Sequence, residues 1–227
     1  MAQDDASLSV IQLLLRDFAA MTHSAPNVLE RFLHYVQFDT QSDETSAAAP
    51  STAKQLKLAE ALKDELHQLG IANAVIGQGG VVYAQIPASR GCEDLPAVGF
   101  IAHMDTSPDA SGLHVKPQII RFDGTDVLLN QTEGIRFPVE RFPEIKKYIG
   151  EDVIFTDGTT LLGADDKSGI AAIMDMAAKI TADPKIAHAK LCIAFTPDEE
   201  IGRGTANFDL ERFGADWAVT IDGGEVG

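Results

Sequence analysis

Apolar residues recur along this chain with two periods, and each period predicts a different element. Val28, Leu29, Phe32, Leu33 and Val36 fall on one face of a helix. Asn27 before them and Glu30 three residues later are placed for a capping box, in which each end satisfies the other's free N–H. A longer helical stripe starts near Thr52 and runs through Leu56, Ala59, Leu62, Leu66 and Leu69, with Gly70 placed to end it. Between the two helices the polar, Ser-rich stretch 41–51 reads as a loop. Upstream, Leu8, Ile11, Leu15 and Phe18 are spaced to line a helical face until Pro26 interrupts the pattern, so residues 1–25 read as an N-terminal extension.

Beyond Gly70 the pattern shortens. Apolar runs suited to strands occupy 81–86, 97–102, 153–155, 191–195 and 218–221. Between the third and fourth runs, Ile170, Ile173, Met174, Ala177 and Ile180 mark a buried helix. Strands alternating with helices predict an α/β fold, a mixed and largely parallel sheet flanked by helices. Residues 111–150, rich in Pro, Gly and charge, are expected to wrap the surface. No internal repeat or low-complexity tract is present.

Composition narrows the partners. At 227 residues and 45% hydrophobic the chain can bury a core. Its 34 Asp plus Glu against 18 Lys plus Arg give a net charge of -16, which repels phosphate backbones and anionic membranes. Neither nucleic acid nor a membrane is therefore expected as a partner. Surplus carboxylates suit hard or borderline cations, although plain solubility accounts for most acidic proteins. Cys92 and Cys192 are far apart and make no CxxC pattern, which argues against disulfides and thiolate zinc sites and fits the cytoplasm. Asp4 and Asp5 stand where an export signal carries basic residues, and 8–15 is too short and polar to span a bilayer.

The chemistry is concentrated where strands end. The run 97–102 leads into His103-Met104-Asp105, the run 191–195 into Thr196-Pro197-Asp198-Glu199-Glu200, and the run 218–221 into Asp222-Gly223-Gly224. In open α/β sheets the loops diverge at the carboxyl ends of strands and leave a crevice there, so these side chains are positioned to converge. A further acidic pair, Asp165-Asp166, precedes the apolar helix. One Asp is accounted for as a helix N-cap, which leaves the second over, and adjacent carboxylates repel unless a cation or hydrogen bonds offset them.

His103 and Asp105 are two apart and face the same way on an extended segment. That permits His103 to ligate a metal through one ring nitrogen while Asp105 accepts a hydrogen bond from a ligand histidine's other nitrogen. Each of these residues has an ordinary reading by itself, as a satisfied histidine or a solvated helix start. Taken together with Asp165, Glu200 and Asp222, the donor set fits zinc, manganese or cobalt better than calcium.

At these residues the sequence resembles the two-metal peptidases of the aminoacylase and glutamate-carboxypeptidase clan, and within it the peptidase T family of tripeptide aminopeptidases. The likeness is carried by GFIAHMDTSPD at 99–109, DGTTLLGADDKSG at 157–169, AFTPDEEIG at 194–202 and Asp222-Gly223-Gly224. It extends from about Asn27 to the end and includes Pro50-Ser51-Thr52. The resemblance implies a zinc-exopeptidase-like fold and two divalent ions, zinc first, with cobalt or manganese as alternatives. It further implies that His103 and Asp222 bind one ion, Glu200 helps bind the other, and Asp165 bridges them. Glu199 would be the general base and Asp105 the partner that orients a ligand. The substrate implied is a short peptide, cut after its N-terminal residue.

Members of this family continue past the Asp-Gly-Gly strand through a lid and dimerisation domain and back into the catalytic domain, where a histidine completes the second metal site. The resemblance therefore implies that 26–227 is an incomplete catalytic domain and that full-length relatives are homodimers through the absent part. Two other readings remain beside the tripeptidase: an inactive metal-binding fragment, and a dipeptidase, carboxypeptidase or deacylase of the same clan.

Overall fold

The computed structural model describes residues 26–223, so the expected N-terminal helix through Leu8 and Phe18, and Gly224 of the Asp-Gly-Gly stretch, lie outside the described residues. Helix α1 (Val28–Tyr35) begins as the sequence predicts. Asn27 is extended and its side chain accepts the N–H of Glu30 at 3.1 Å, while the Glu30 carboxylate accepts the N–H of Asn27 at 2.9 Å. Such a cap stabilises a helix by about 1 kcal/mol.

Helix α2 (Gln55–Gln68) buries Leu58, Ala59, Leu62 and Leu66, and Gly70, at φ +84°, takes the left-handed conformation that lets the chain leave it. Residues 52–54 form a turn rather than the helix's first residues, which brings Leu58 to the core and leaves Leu56 half-buried. Helix α3 (Ala164–Ala182) buries Ile170, Ile173, Met174 and Ala177 of the expected stripe. Buried Arg31 joins the three helices, pairing with Glu65 of α2 at 2.7 Å and Asp175 of α3 at 3.4 Å.

These helices cover one face of a five-stranded sheet in the order β1 (Val75–Ile76), β2 (Val82–Ile86), β8 (Leu191–Thr196), β3 (Val98–His103), β9 (Trp217–Thr220). The sheet is mixed: β3 runs parallel to both β8 and β9, whereas β2 is antiparallel to β8 and to β1. Period two sorts the strand residues. Val82, Ala84 and Ile86 join Leu58, Leu62, Ile170 and Met174 on the helical face, and Val81 and Tyr83 join Cys192, Ala194 and Phe213 of the short helix α4 (Leu210–Phe213) on the other. Central β8 is buried at every position, which explains its unbroken apolar run. Gly99 lets α4 close on the sheet, because a Cβ there would overlap the Phe213 ring and Ala218.

The third apolar run does not belong to this sheet. Strand β7 (Asp152–Phe155) pairs antiparallel with β4 (Gln118–Arg121), and β5 (Val127–Asn130) pairs with β6 (Ile135–Phe137). Phe122, Val127, Val139 and Phe155 form a small core of their own beneath them. The segment expected only to wrap the surface thus carries strands, each of three or four residues and too short to show alternation. No helix among the described residues is long and apolar enough to cross a membrane.

Candidate metal centre

Register brings the chemistry to one edge. In the parallel pairing His103 lies beside Thr196, and Ile101 beside Thr220. The N–H of Ile221 donates to Ile101 at 2.7 Å and that of Met104 to Thr196 at 2.7 Å, so the chain leaves all three strands at the same level. His103, Glu199, Glu200 and Asp222 are therefore neighbours although they lie up to 119 positions apart along the chain.

His103 is 2% exposed and stands at the centre. Its Nε2 is 2.8 Å from Asp165 Oδ1 and 3.9 Å from Glu199 Oε2, and its Nδ1 is 3.4 Å from Asp105 Oδ1. Burial opposes charge on the imidazole, but Asp105, Asp166 and Asp165 together outweigh it and raise its pKa to about 10. The ground for reading the cluster as a metal site is geometric: carboxylate oxygens and a ring nitrogen of His103 lie close enough together to share one ion.

Asp105 is fully buried and works in two directions. Besides facing His103, its Oδ1 accepts the N–H of Glu199 at 2.9 Å and its Oδ2 that of Glu200 at 3.1 Å. One carboxylate thus ties the end of β3 to the loop after β8. Glu199 is half exposed at the mouth, and burial raises the pKa of Glu200, with the nearby Asp165, Asp105 and Glu199 adding to the effect and His103 opposing it.

The Asp165-Asp166 pair divides its work. Both residues have non-helical backbone angles, so regular helix begins after them. Asp166 is 1% exposed, and its Oδ1 accepts the N–H of Gly169 at 3.1 Å, the bond of an N-cap. Its Oδ2 accepts the N–H of His103 at 3.2 Å, fastening α3 to β3. Burial pushes its pKa up to about 7, with His103 opposing. Asp165, with the cap supplied by its neighbour, is exposed and directed at His103. Behind them Lys167, 1% exposed, donates to the Phe38 carbonyl at 2.8 Å; burial lowers its pKa to about 8 against the pull of Asp39 and Asp105.

Two sets of donor atoms lie within 4.8 Å of one another: His103 with Asp165 and Glu200, and His103 with Asp166 and Asp222. The four residues expected from sequence as ligands all occur in them, but the grouping differs from the expected one: Asp165 stands with Glu200 alone, and Asp166 rather than Asp165 stands with Asp222. An imidazole nitrogen among carboxylate oxygens fits zinc, manganese or cobalt. Lys167 lies between Asp165-Asp166 and Ser168, a polar stretch in which nothing in the sequence marks it as buried.

No family model matches the chain. It is 55% identical over 202 residues to peptidase T of Desulfitobacterium hafniense and 53% identical over 201 residues to peptidase T of Clostridium acetobutylicum, in each case over 88% of this chain and 49% of the relative. The chain spans about half the length of the curated relatives it matches. Among solved structures it is similar to a tripeptidase from Staphylococcus aureus, with a TM-score of 0.60 and 24% identity over 88% of this chain and 43% of the other. The aminopeptidase PepT from Bacillus cereus gives 0.60 and 23%, over 87% and 43%. These two likenesses are of fold, and they agree with the mixed α/β architecture expected from the sequence.

Proposed function

We propose that this chain is the metal-binding portion of an aminopeptidase of the peptidase T type, which removes the N-terminal residue from tripeptides with two divalent ions, zinc first and cobalt or manganese as alternatives. The observation that carries the reading is the convergence of His103, Asp165, Glu200 and Asp222 from three strand ends and a helix start into overlapping donor sets around one buried imidazole. The identity to peptidase T across 88% of the chain supports the choice of substrate class.

In this reading His103 and Asp222 would hold one ion and Glu200 would help hold the other, with Asp165 as a ligand between them. Divalent ions held there would supply Lewis acidity, which lowers the pKa of a bound water and polarises a carbonyl. Glu199, half exposed beside His103, takes that water's proton and delivers it to the departing amine. Asp105 keeps the imidazole oriented and holds the backbone of both glutamates in place. Assembly as a homodimer and action in the cytoplasm complete the proposal.

The substrate class is tested on a polypeptide with the full length of these relatives, loaded with zinc. A free tripeptide is expected to be hydrolysed to an amino acid and a dipeptide, with kcat/KM well above that for a dipeptide or an N-acylated amino acid. Preference for either of the latter would move the protein to another branch of the clan.

A further inference from the structure

Asp198 lies where β8 gives way to the two glutamates, and it is 4% exposed. Its φ is +60°, a left-handed conformation uncommon for residues with a side chain although Asp is among those that enter it most readily, and here its side chain is held on several sides. The groups that hold it come from the start of α2. Asp198 Oδ2 accepts the N–H of Ser51 at 2.7 Å, and Oδ1 accepts the Ser51 hydroxyl at 2.5 Å and Gln55 Nε2 at 2.7 Å. In return the N–H of Asp198 donates to Gln55 Oε1 at 3.2 Å. Ser51 and Gln55 are themselves buried. Hydrogen bonds to an ionised carboxylate are roughly twice as strong as neutral ones, so this is a firm anchor.

The anchored turn is short and leads directly to the site. The N–H of Arg203 donates to the Asp198 carbonyl at 2.8 Å, that of Gly202 donates to the Glu199 carbonyl at 2.7 Å, and the Arg203 guanidinium reaches the carbonyls of Ser46 and Glu44 at 2.6 and 2.9 Å. Asp105 grips the same turn from the opposite side, through the N–H groups of Glu199 and Glu200. Asp105 alone leaves the φ of residue 198 free to relax, and that dihedral sets the direction in which the next two side chains project.

We propose that Asp198, held by Ser51 and Gln55, is a positioning residue that locks the turn after β8 and so aims Glu199 and Glu200 at the metal centre. The inference rests on the metal-centre reading above. It gives the 49–55 segment a role in metal affinity although it holds no ligand.

The test uses the 227-residue chain, freed of metal and titrated with cobalt(II), with affinity and visible absorption as readouts. Asp198→Gly keeps a residue at ease with positive φ while removing the anchor. It is expected to bind cobalt roughly 10 to 100-fold more weakly, the range for loss of a group that orients ligands, and to show a changed absorption envelope with unchanged circular dichroism. Asp198→Asn, which keeps a carbonyl oxygen for the Ser51 N–H, is expected to restore most of the affinity. An Asp198→Gly chain with wild-type affinity and spectrum overturns the inference and leaves the metal centre standing. A wild-type chain that binds no cobalt removes the metal centre itself, and the inference with it. Should Asp198→Gly not fold, Ser51→Ala removes the hydroxyl but leaves the backbone donor, and wild-type affinity and spectrum in that variant overturn the inference equally.

Discussion

Glu199→Ala is expected to slow peptide hydrolysis by roughly 10²- to 10⁴-fold, the usual contribution of a positioned general base, while zinc remains bound. Its neighbour behaves oppositely: Glu200→Ala is expected to lose zinc first and activity as a consequence. The contrast follows from placement. Both backbones are fixed by the single Asp105 carboxylate, yet only Glu200 belongs to a donor set with His103 and Asp165. Glu199 is 3.9 Å from His103 Nε2 and 49% exposed, which leaves its carboxylate open to solvent beside the cluster. Zinc content and turnover, measured on both variants in a full-length polypeptide, separate the roles. Equal zinc loss in the two would show that the adjacent glutamates act alike and would end the assignment of a base.

The elements that the sequence makes legible are those with enough residues to display a period and a stop signal. The first helix announces itself through Asn27 and Glu30, and the second through its leucines and Gly70. Strand β8 is legible as an apolar run because it is covered on both faces. The strands between Gln118 and Phe155 are not, since runs of three or four residues cannot be told from loop. The site divides in the same way. Carboxylates and a histidine at strand ends are visible as residue types, and the surplus Asp beside a helix start is visible as one more than a cap requires. The division itself, with Asp166 as the cap and Asp165 turned to His103, depends on backbone angles that only the packed structure defines. Asp198 is visible as one of the carboxylates at a strand end, but what holds it is not. Its left-handed turn is held by Ser51 and Gln55, more than 140 positions away in sequence, and no local pattern records that.

Asp105→Ala is expected to have the second largest effect, and to show it in two quantities at once. The carboxylate is fully buried and faces three groups: the His103 ring and the N–H groups of Glu199 and Glu200. A buried polar group left without its partner costs about 1–3 kcal/mol, so the metal-free chain should lose on the order of 3 kcal/mol of stability. Metal affinity should fall by about 10 to 100-fold, because the carboxylate facing the His103 ring is gone and two glutamates lose their anchor, while the Asp105 carbonyl, 3.1 Å from His103 Nδ1, remains. Denaturant titration reads the first and calorimetric zinc titration the second. A variant that is destabilised but binds zinc as tightly as the wild type would make Asp105 a folding residue and nothing more.

The central claim is that His103 organises a divalent-metal centre, since it is the one residue common to both donor sets among the described residues. Calorimetric titration of zinc into the metal-free 227-residue chain, run beside His103→Ala under identical conditions, tests this most directly. The account predicts saturable zinc binding by the wild type. His103→Ala is expected to lose more affinity than the roughly 100-fold upper range for removing an orienting partner, because here a proposed ligand itself is gone. A wild-type chain that takes up no zinc, or a His103→Ala chain that binds it equally well, would contradict the account.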